Sequence, residues 1–218
     1  MTLGIFLSLG DSFTDMSKTG QDIQFKKFYL PTIAKNFTKI YIFSYADEKV
    51  TDLPKNVIVI ANSWGLQRFL YAILMPFLNY KYISSCDVFR VYHLWGTPPA
   101  IITRIFFQKP FIFNWAFDYL KFSKIEGKMF QHLIAYLLAP VATIFASAIF
   151  AANQNILSKL PRGKTIHLPN GVDTNFFRPQ KSKKTRNRLQ ILSVGRLVRQ
   201  KNFEGLIAAL PGLPIDLT

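Results

Sequence analysis

Two stretches near the carboxyl end of this chain carry residue types able to hold a phosphate. The first is His167-Leu-Pro-Asn-Gly-Val-Asp-Thr-Asn-Phe-Phe-Arg-Pro179, and the second is Ile191-Leu-Ser-Val-Gly-Arg-Leu-Val-Arg-Gln-Lys201. The first reads as an apolar strand end broken by a turn. Asn170 and Gly171 are expected to supply positive-φ residues there, and Asp173 can hydrogen-bond neighbouring backbone. The second reads as a buried strand that stops at Gly195 and is followed by the cations Arg196 and Lys201. A strand-to-helix corner with bare amides and fixed positive charge is a natural seat for phosphate groups. Guanidinium grips phosphate oxygens in pairs, and an ammonium adds a point charge.

The amino-terminal half offers three further candidates. Asp87-Val-Phe-Arg-Val-Tyr-His93 places a histidine at the carboxyl end of a strand, where ligands of open α/β sheets bind. A lone histidine there can equally be a structural one. Pro110-Phe-Ile-Phe-Asn-Trp-Ala-Phe-Asp118 ends a second strand on a carboxylate, Asp118. Gly10 opens the loop Gly10-Asp-Ser-Phe-Thr-Asp-Met-Ser-Lys-Thr-Gly20 between the first strand and a helix. This loop is neither a Walker loop nor a dinucleotide fingerprint. No His/Cys cluster has metal-ligand spacing and no Ser-His-Asp order stands out, so no metal is expected.

The elements that must position these residues alternate along the chain. Strand-like apolar runs fall at 3–9, 40–45, 57–61, 88–92, 111–115, 148–152 and 165–168, with helix-length segments near 22–36, 64–80, 98–108, 126–146 and 153–160. Continuous apolar strands separated by helices indicate a parallel sheet covered on both faces, hence an α/β, Rossmann-like domain with right-handed crossovers. The expected organisation is a domain over 1–179, a cationic linker without apolar residues over 180–188, and an incomplete second domain over 189–218. That second part opens with a strand over 189–194 and a helix over 203–210, a βα unit unable to bury its own faces.

Composition narrows the classes. Half of the residues are hydrophobic and 21 are phenylalanine, so a large core is available. The single cysteine, Cys86, excludes an internal disulfide framework and suits a reducing cytosol. The amino terminus lacks a basic region and a long apolar run, so it reads as a first strand rather than a signal peptide. Net charge is +15, concentrated in residues 159–201, which hold 12 Lys/Arg and one acidic residue. Nucleic acid, anionic lipid and phosphorylated small molecules all suit that balance. Aromatics do not interleave with the basic tract, so nucleic acid is not the expected partner. Residues 131–158 carry no Asp, Glu, Lys or Arg, which meets the length rule for a membrane span. Pro140 and the strand-like 148–152 run favour a buried helix followed by a strand. The helix near 66–82 is aromatic with Arg68 and Lys81 at its ends, a pattern that fits either core packing or a membrane interface.

Taken with the residues between them, the segments 167–179 and 191–201 resemble the interdomain crossover of GT-B fold glycosyltransferases, especially the retaining family 4. The resemblance implies transfer of a sugar from a nucleotide-diphosphate sugar to a glycan or lipid-linked acceptor. It implies that Gly195, Arg196 and Lys201 bind the donor diphosphate, and that no cofactor is required. Asn170, Gly171 and Asp173 would form the hinge and cleft lining, His93 and Asp118 would serve the acceptor side, and Gly10 would approach a substrate. Phe117 stands where many members have a histidine, and Asn202 where they often have glycine. The family's pair of glutamates separated by seven residues is missing, because Glu204 is the only glutamate after the crossover. The chain is therefore expected to be an inactive fragment, or one piece of an enzyme completed by a separate carboxyl-terminal piece. Its expected location is cytoplasmic, peripheral on the inner face of the cell membrane. The competing reading is a non-catalytic basic protein that contacts anionic membrane or nucleic acid.

Overall fold

The computed structural model describes residues 1–172, 174, 177, 178 and 191–210. The linker expected at 180–188 and the hinge candidate Asp173 lie outside the described residues. The chain divides into two compact units, one of residues 1–118 and 135–169, the other of 119–134 and 170–218.

The first unit is built on seven strands: β1 (Thr2–Phe6), β2 (Lys39–Phe43), β3 (Val57–Ile60), β4 (Val88–Val91), β5 (Phe111–Trp115), β6 (Ala148–Ala151) and β7 (Thr165–His167). All pair in parallel, in the order β3-β2-β1-β4-β5-β6-β7. This is the doubly wound order in which the direction of winding reverses between β1 and β4. The apolar runs of the sequence are strands because both faces of a parallel sheet are covered. Leu3, Ile5 and Leu7 pack with Ile40, Ile42 and Val57 on one face. Phe6, Phe43 and Phe89 meet on the other, with Phe6 and Phe89 stacked at 4.9 Å between centroids.

Helices α1 (Phe13–Ser17), α2 (Gln21–Gln24) and α3 (Leu30–Ala34) connect β1 to β2, with a π-helical turn, Phe25–Tyr29, between the last two. Helices α4 (Arg68–Leu78) and α5 (Tyr80–Ser85) connect β3 to β4, and α6 (Thr97–Phe107) connects β4 to β5. Then follow α7 (Tyr119–Ile125), α8 (Met129–Phe145) and α9 (Gln154–Leu157). The loop expected after β1 thus contains a helical turn, for a reason given below. The uncharged stretch at 131–158 divides into most of α8, β6 and α9. Among the described residues no helix is long and apolar enough to cross a membrane. Helix α8 ends where Lys164 Nζ donates to the carbonyls of Ile144 and Ala146, satisfying acceptors left open at a helix end.

Strand β7 lies at the edge of the sheet, and Ile166 is exposed on it. Beyond it the chain departs from expectation. Neither Asn170 nor Gly171 has positive φ, and the backbone from 168 to 172 forms no regular element. Gly171 has nothing within 4 Å of where a side chain would start, so the permissive Asn-Gly pair is not forced into a tight turn.

In the second unit, α7 leads through Gly127, at φ +70°, into the start of α8. His132 Nδ1 closes that corner at 3.0 Å from the Ser123 hydroxyl and 3.1 Å from the Leu120 carbonyl. Further along, residues 191–194 pair with no strand among the described residues. Leu192 is 87% and Val194 83% exposed. Among the described residues 191–194 the expected buried strand does not form, because a parallel strand needs neighbours for both its amides and its side chains. A 3-10 turn, Arg199–Lys201, and helix α10 (Phe203–Ala209) follow.

Candidate functional site

In the first unit, the switch between β1 and β4 determines where a ligand can sit. The segment after β4 folds back as a 3-10 turn, Leu94–Gly96, that runs directly into α6. A methyl group added at Gly96 would lie 2.7 Å from the Leu7 carbonyl oxygen, so only glycine lets this turn close against the end of β1. The loops leaving β1 and β4 are thereby held side by side.

The helix start after β1 is where many doubly wound proteins bind a phosphate. Here it already holds an anion of the chain itself. Glu48 accepts from the backbone N–H of Phe13 at 2.9 Å and of Thr14 at 2.9 Å, and from the Thr14 hydroxyl at 2.8 Å. The Ser44 hydroxyl also donates to it. Ser12 caps the same turn, its hydroxyl accepting from the Asp15 N–H at 3.0 Å. Burial pushes the Glu48 carboxyl up, but the donors from Ser44, Phe13 and Thr14 outweigh it and hold the net pKa below the ordinary value. This carboxylate explains the unexpected α1, and it excludes a ligand phosphate from those amides.

Beside it lies a group of polar side chains with little solvent. Burial, reinforced by Asp15, raises the pKa of Asp11. Tyr45 and Asn62 are buried, and the Tyr45 hydroxyl and Asn62 Oδ1 have no hydrogen-bond partner. Asn62 uses its amide nitrogen on the carbonyls of Tyr45 and Leu66, at 3.3 and 2.8 Å. Burial, with added repulsion from Tyr71 and Asp11, raises the Tyr45 phenol well above its ordinary range. Gly10 sits at φ +82°, and a methyl group there would come within 3.0 Å of the Arg68 side chain. Gly10 thus allows an exposed guanidinium from the start of α4 to lie over the β1 loop. Tyr45 and Asn62 thus follow β2 and β3 with unpartnered oxygens enclosed by protein, and Asp11 follows β1 beside them.

Sequence patterns located Gly10 but not Asp11, Tyr45, Glu48, Asn62 or Arg68. Asp11 had a signal, since it follows a glycine at a strand end. Glu48 had none, because the helix-start residues it caps, Phe13 and Thr14, lie 35 and 34 residues away.

His93 follows β4 at the same edge. Its surface is exposed, yet surrounding protein desolvates the ring enough to lower its pKa. Asp118 follows β5 and forms an ion pair with Lys159 at 2.7 Å. Asp118 is the less exposed partner, at 16% against 56% for Lys159. This pair links the loops after β5 and β6, so the carboxylate is already charge-compensated.

In the second unit, Gly195 and Lys201 come together. The Lys201 stem passes at 3.5 Å, ordinary contact distance, from where a Gly195 side chain would begin. Phe203 closes the same space at 3.5 Å. Lys201 N–H donates to the Val198 carbonyl at 2.9 Å, and Val198 N–H to that of Arg196 at 2.9 Å. The segment from Arg196 to Lys201 is therefore coiled tightly. Asn202 has φ +50°, in the left-handed region that asparagine enters more readily than other side-chain-bearing residues. That conformation accounts for asparagine at a position where the resembling family often has glycine. Arg196 is exposed. One amide of the corner is taken, as Gln200 N–H donates to Glu126 Oε1 at 3.0 Å. Among the described residues no group of three or more His, Cys, Asp or Glu is arranged to hold a metal ion.

Two solved structures give the scale of similarity to known proteins. One is Anabaena Alr3699/HepE in complex with UDP and glucose, at 16% identity and a TM-score of 0.49, covering 83% of this chain and 47% of that one. The other is the lipopolysaccharide outer core galactosyltransferase WaaB in its apo form, at 13% identity and a TM-score of 0.46, covering 84% and 50%. The chain spans about half the length of these solved chains. No family model and no curated protein matches it.

Proposed function

We propose that this chain belongs to a GT-B glycosyltransferase of the retaining family 4 type. In this reading the parallel sheet is the acceptor-side domain, and residues 191–210 open the donor domain. The reaction moves a sugar from a nucleotide-diphosphate sugar to a glycan or lipid-linked acceptor. The observation that carries the reading is the corner where Lys201 packs across Gly195 beside an exposed Arg196, with Asn202 in the left-handed conformation that starts α10.

The chemistry follows from charge. As the bond from the anomeric carbon to the diphosphate breaks, negative charge grows on the departing oxygens. Fixed cations that are strongest where that charge develops lower the barrier. Arg196 and Lys201 serve that role, and the reading assigns no step to a metal. On the acceptor side, a lowered pKa keeps His93 neutral near pH 7, and a neutral imidazole can orient a sugar hydroxyl. Asp118, paired with Lys159, is the acceptor-side carboxylate of this reading. The carboxylate of Glu48 makes the first helix start unavailable to the donor diphosphate, which favours the second unit as its seat.

Titration of the chain with UDP and with GDP, followed calorimetrically, tests the assignment. Arg196→Ala and Lys201→Ala should each weaken binding of the preferred diphosphate by about tenfold, the loss of one charge-assisted contact. Identical weak binding by the natural chain and both variants would sink it.

A further inference from the structure

All three tryptophans of the chain lie at one edge of the sheet. Trp64 comes four residues after β3, Trp95 four residues after β4, and Trp115 is the last residue of β5. The strands are parallel, so these positions share the carboxyl edge. Trp64 is the outermost of them and is 60% exposed. A tryptophan is ordinarily well buried, and Val57 and Ile60 already fill the buried positions of β3. The loop that carries Trp64 is tied at both ends. Asn62, buried at its base, donates through Nδ2 to the Leu66 carbonyl at 2.8 Å and to the Tyr45 carbonyl at 3.3 Å. Gly65 N–H donates to the Asn62 carbonyl at 3.3 Å, and Gly65 turns the chain at φ +62°. A buried amide thus closes the loop over 62–66 and holds the exposed indole at its tip.

The order β3-β2-β1-β4 puts three strand spacings, about 14 Å, between the strands that lead to Trp64 and to Trp95. His93, the residue placed against the acceptor hydroxyl, also follows β4. A single pyranose ring cannot reach from there to Trp64. Midway, Arg68 lies exposed over Gly10 in the β1 loop, and it forms no ion pair among the described residues. The face of an indole is electron-rich, and the axial C–H groups of a sugar ring form an apolar, weakly positive face that packs on it. Guanidinium N–H groups donate to ring and hydroxyl oxygens. Aromatic and cationic side chains spaced along one edge match a chain of sugars. We propose that the acceptor is a linear glycan of several sugar units laid along this edge, with Trp64 stacking on a unit remote from the reacting hydroxyl. This site rests on the acceptor-side reading of the first unit and commits it to an oligosaccharide. Trp64 selects for glycan length and takes no part in the transfer step.

Calorimetric titration of the full chain tests it, with linear hexasaccharides of glucose, mannose, xylose and N-acetylglucosamine and with each free monosaccharide. At least one hexasaccharide should bind, about tenfold more tightly than its monosaccharide. Trp64→Ala should weaken that hexasaccharide by about tenfold, the worth of one aromatic face in contact, and leave the monosaccharide unchanged. Trp64→Tyr, which keeps an aromatic face, should retain most of the affinity. Phe106→Ser changes an exposed aromatic at the end of α6, beside the start of β5 and so at the opposite edge, and should have no effect. An unchanged circular dichroism melt verifies the fold of each variant. UDP and GDP, titrated into the same samples, separate the two readings. Trp64-dependent glycan binding without diphosphate binding keeps this site and removes the donor assignment, whereas diphosphate binding without glycan binding does the reverse. Equal affinity for monosaccharide and hexasaccharide would overturn the proposal. So would an unchanged affinity in Trp64→Ala, an equal loss in Phe106→Ser, or no binding of any hexasaccharide.

Discussion

Replacing Glu48 should expose how much of the first unit depends on one carboxylate. In Glu48→Ala four donors lose their acceptor: the N–H groups of Phe13 and Thr14 and the hydroxyls of Thr14 and Ser44. The two Thr14 bonds are exposed, so water replaces them at little cost. The Phe13 and Ser44 bonds are partly buried. A hydrogen bond to a charged group contributes about 1.5 kcal/mol at the lower end of its range, which gives about 3 kcal/mol for the two. Loss of negative charge at the start of α1 adds about 0.5 kcal/mol. For a chain of this size that lowers the melting temperature by about 10 °C. Glu48→Gln keeps one acceptor oxygen but turns an amide nitrogen toward the remaining donors, so about half the loss is expected. The pH dependence has a definite sign. The folded pKa of Glu48 lies below its unfolded value, so its contribution is present above the unfolded glutamate pKa and disappears as pH falls through the folded value. The gap between the natural chain and Glu48→Gln should therefore close in acid. Urea denaturation by tryptophan fluorescence, with Asp47→Ala as an exposed neighbour, measures this. If Glu48→Ala unfolds at the same urea concentration as Asp47→Ala, the carboxylate does not organise the β1–α1 corner.

Two other perturbations follow from the same electrostatics. Burial raises the pKa of Asp11, so the ionised form is penalised in the folded state; the penalty is absent below the unfolded aspartate pKa and grows as pH rises through the folded one. Asp11→Asn should therefore raise the melting temperature at pH 7 and leave it unchanged near pH 3, and a melt that is lower at pH 7 would contradict the assignment. Glu126→Gln retains the oxygen that accepts from Gln200 N–H but removes a negative charge beside the Arg196–Lys201 corner. Diphosphate affinity should rise by about twofold to fivefold, the scale of one partly screened charge, and calorimetry would detect it; a loss of affinity would show that Glu126 does not compete with phosphate.

How much was legible in the sequence follows the range of the interactions. The seven strands of the sheet were readable because a strand buried on both faces must be continuously apolar, as in Ile40-Tyr-Ile-Phe43. The reversal between β1 and β4 came with the expected Rossmann-like winding, whereas the close approach of Gly96 to Leu7 across it needed the fold. Helix α1 was missed although Ser12 and Asp15 give a local cap signal; Glu48, which completes its start, is remote in sequence. Residues 191–194, the described part of the strand expected at 189–194, depart in the opposite way. Their local pattern is correct for a strand, but no neighbour pairs with them among the described residues. Gly195, Arg196 and Lys201 were legible because their spacing within seven residues already implies a corner. Arg68, which approaches Gly10 from a different connection, needed the fold.

The two helix starts can be weighed against each other as anion seats. At α1, one carboxylate takes both leading amides and a hydroxyl, and Ser12 and Asp15 complete the turn. A diphosphate arriving there would have to displace an anion tied to the chain, at high effective concentration, and would meet Asp11 and Asp15 beside it. At the Gly195–Asn202 corner, one carboxylate takes one amide, and two cations lie within the same segment. Displacing Glu126 there would cost a single hydrogen bond and be offset by contacts to Arg196 and Lys201. By this comparison the Gly195–Asn202 corner is the less obstructed of the two helix starts for an anion.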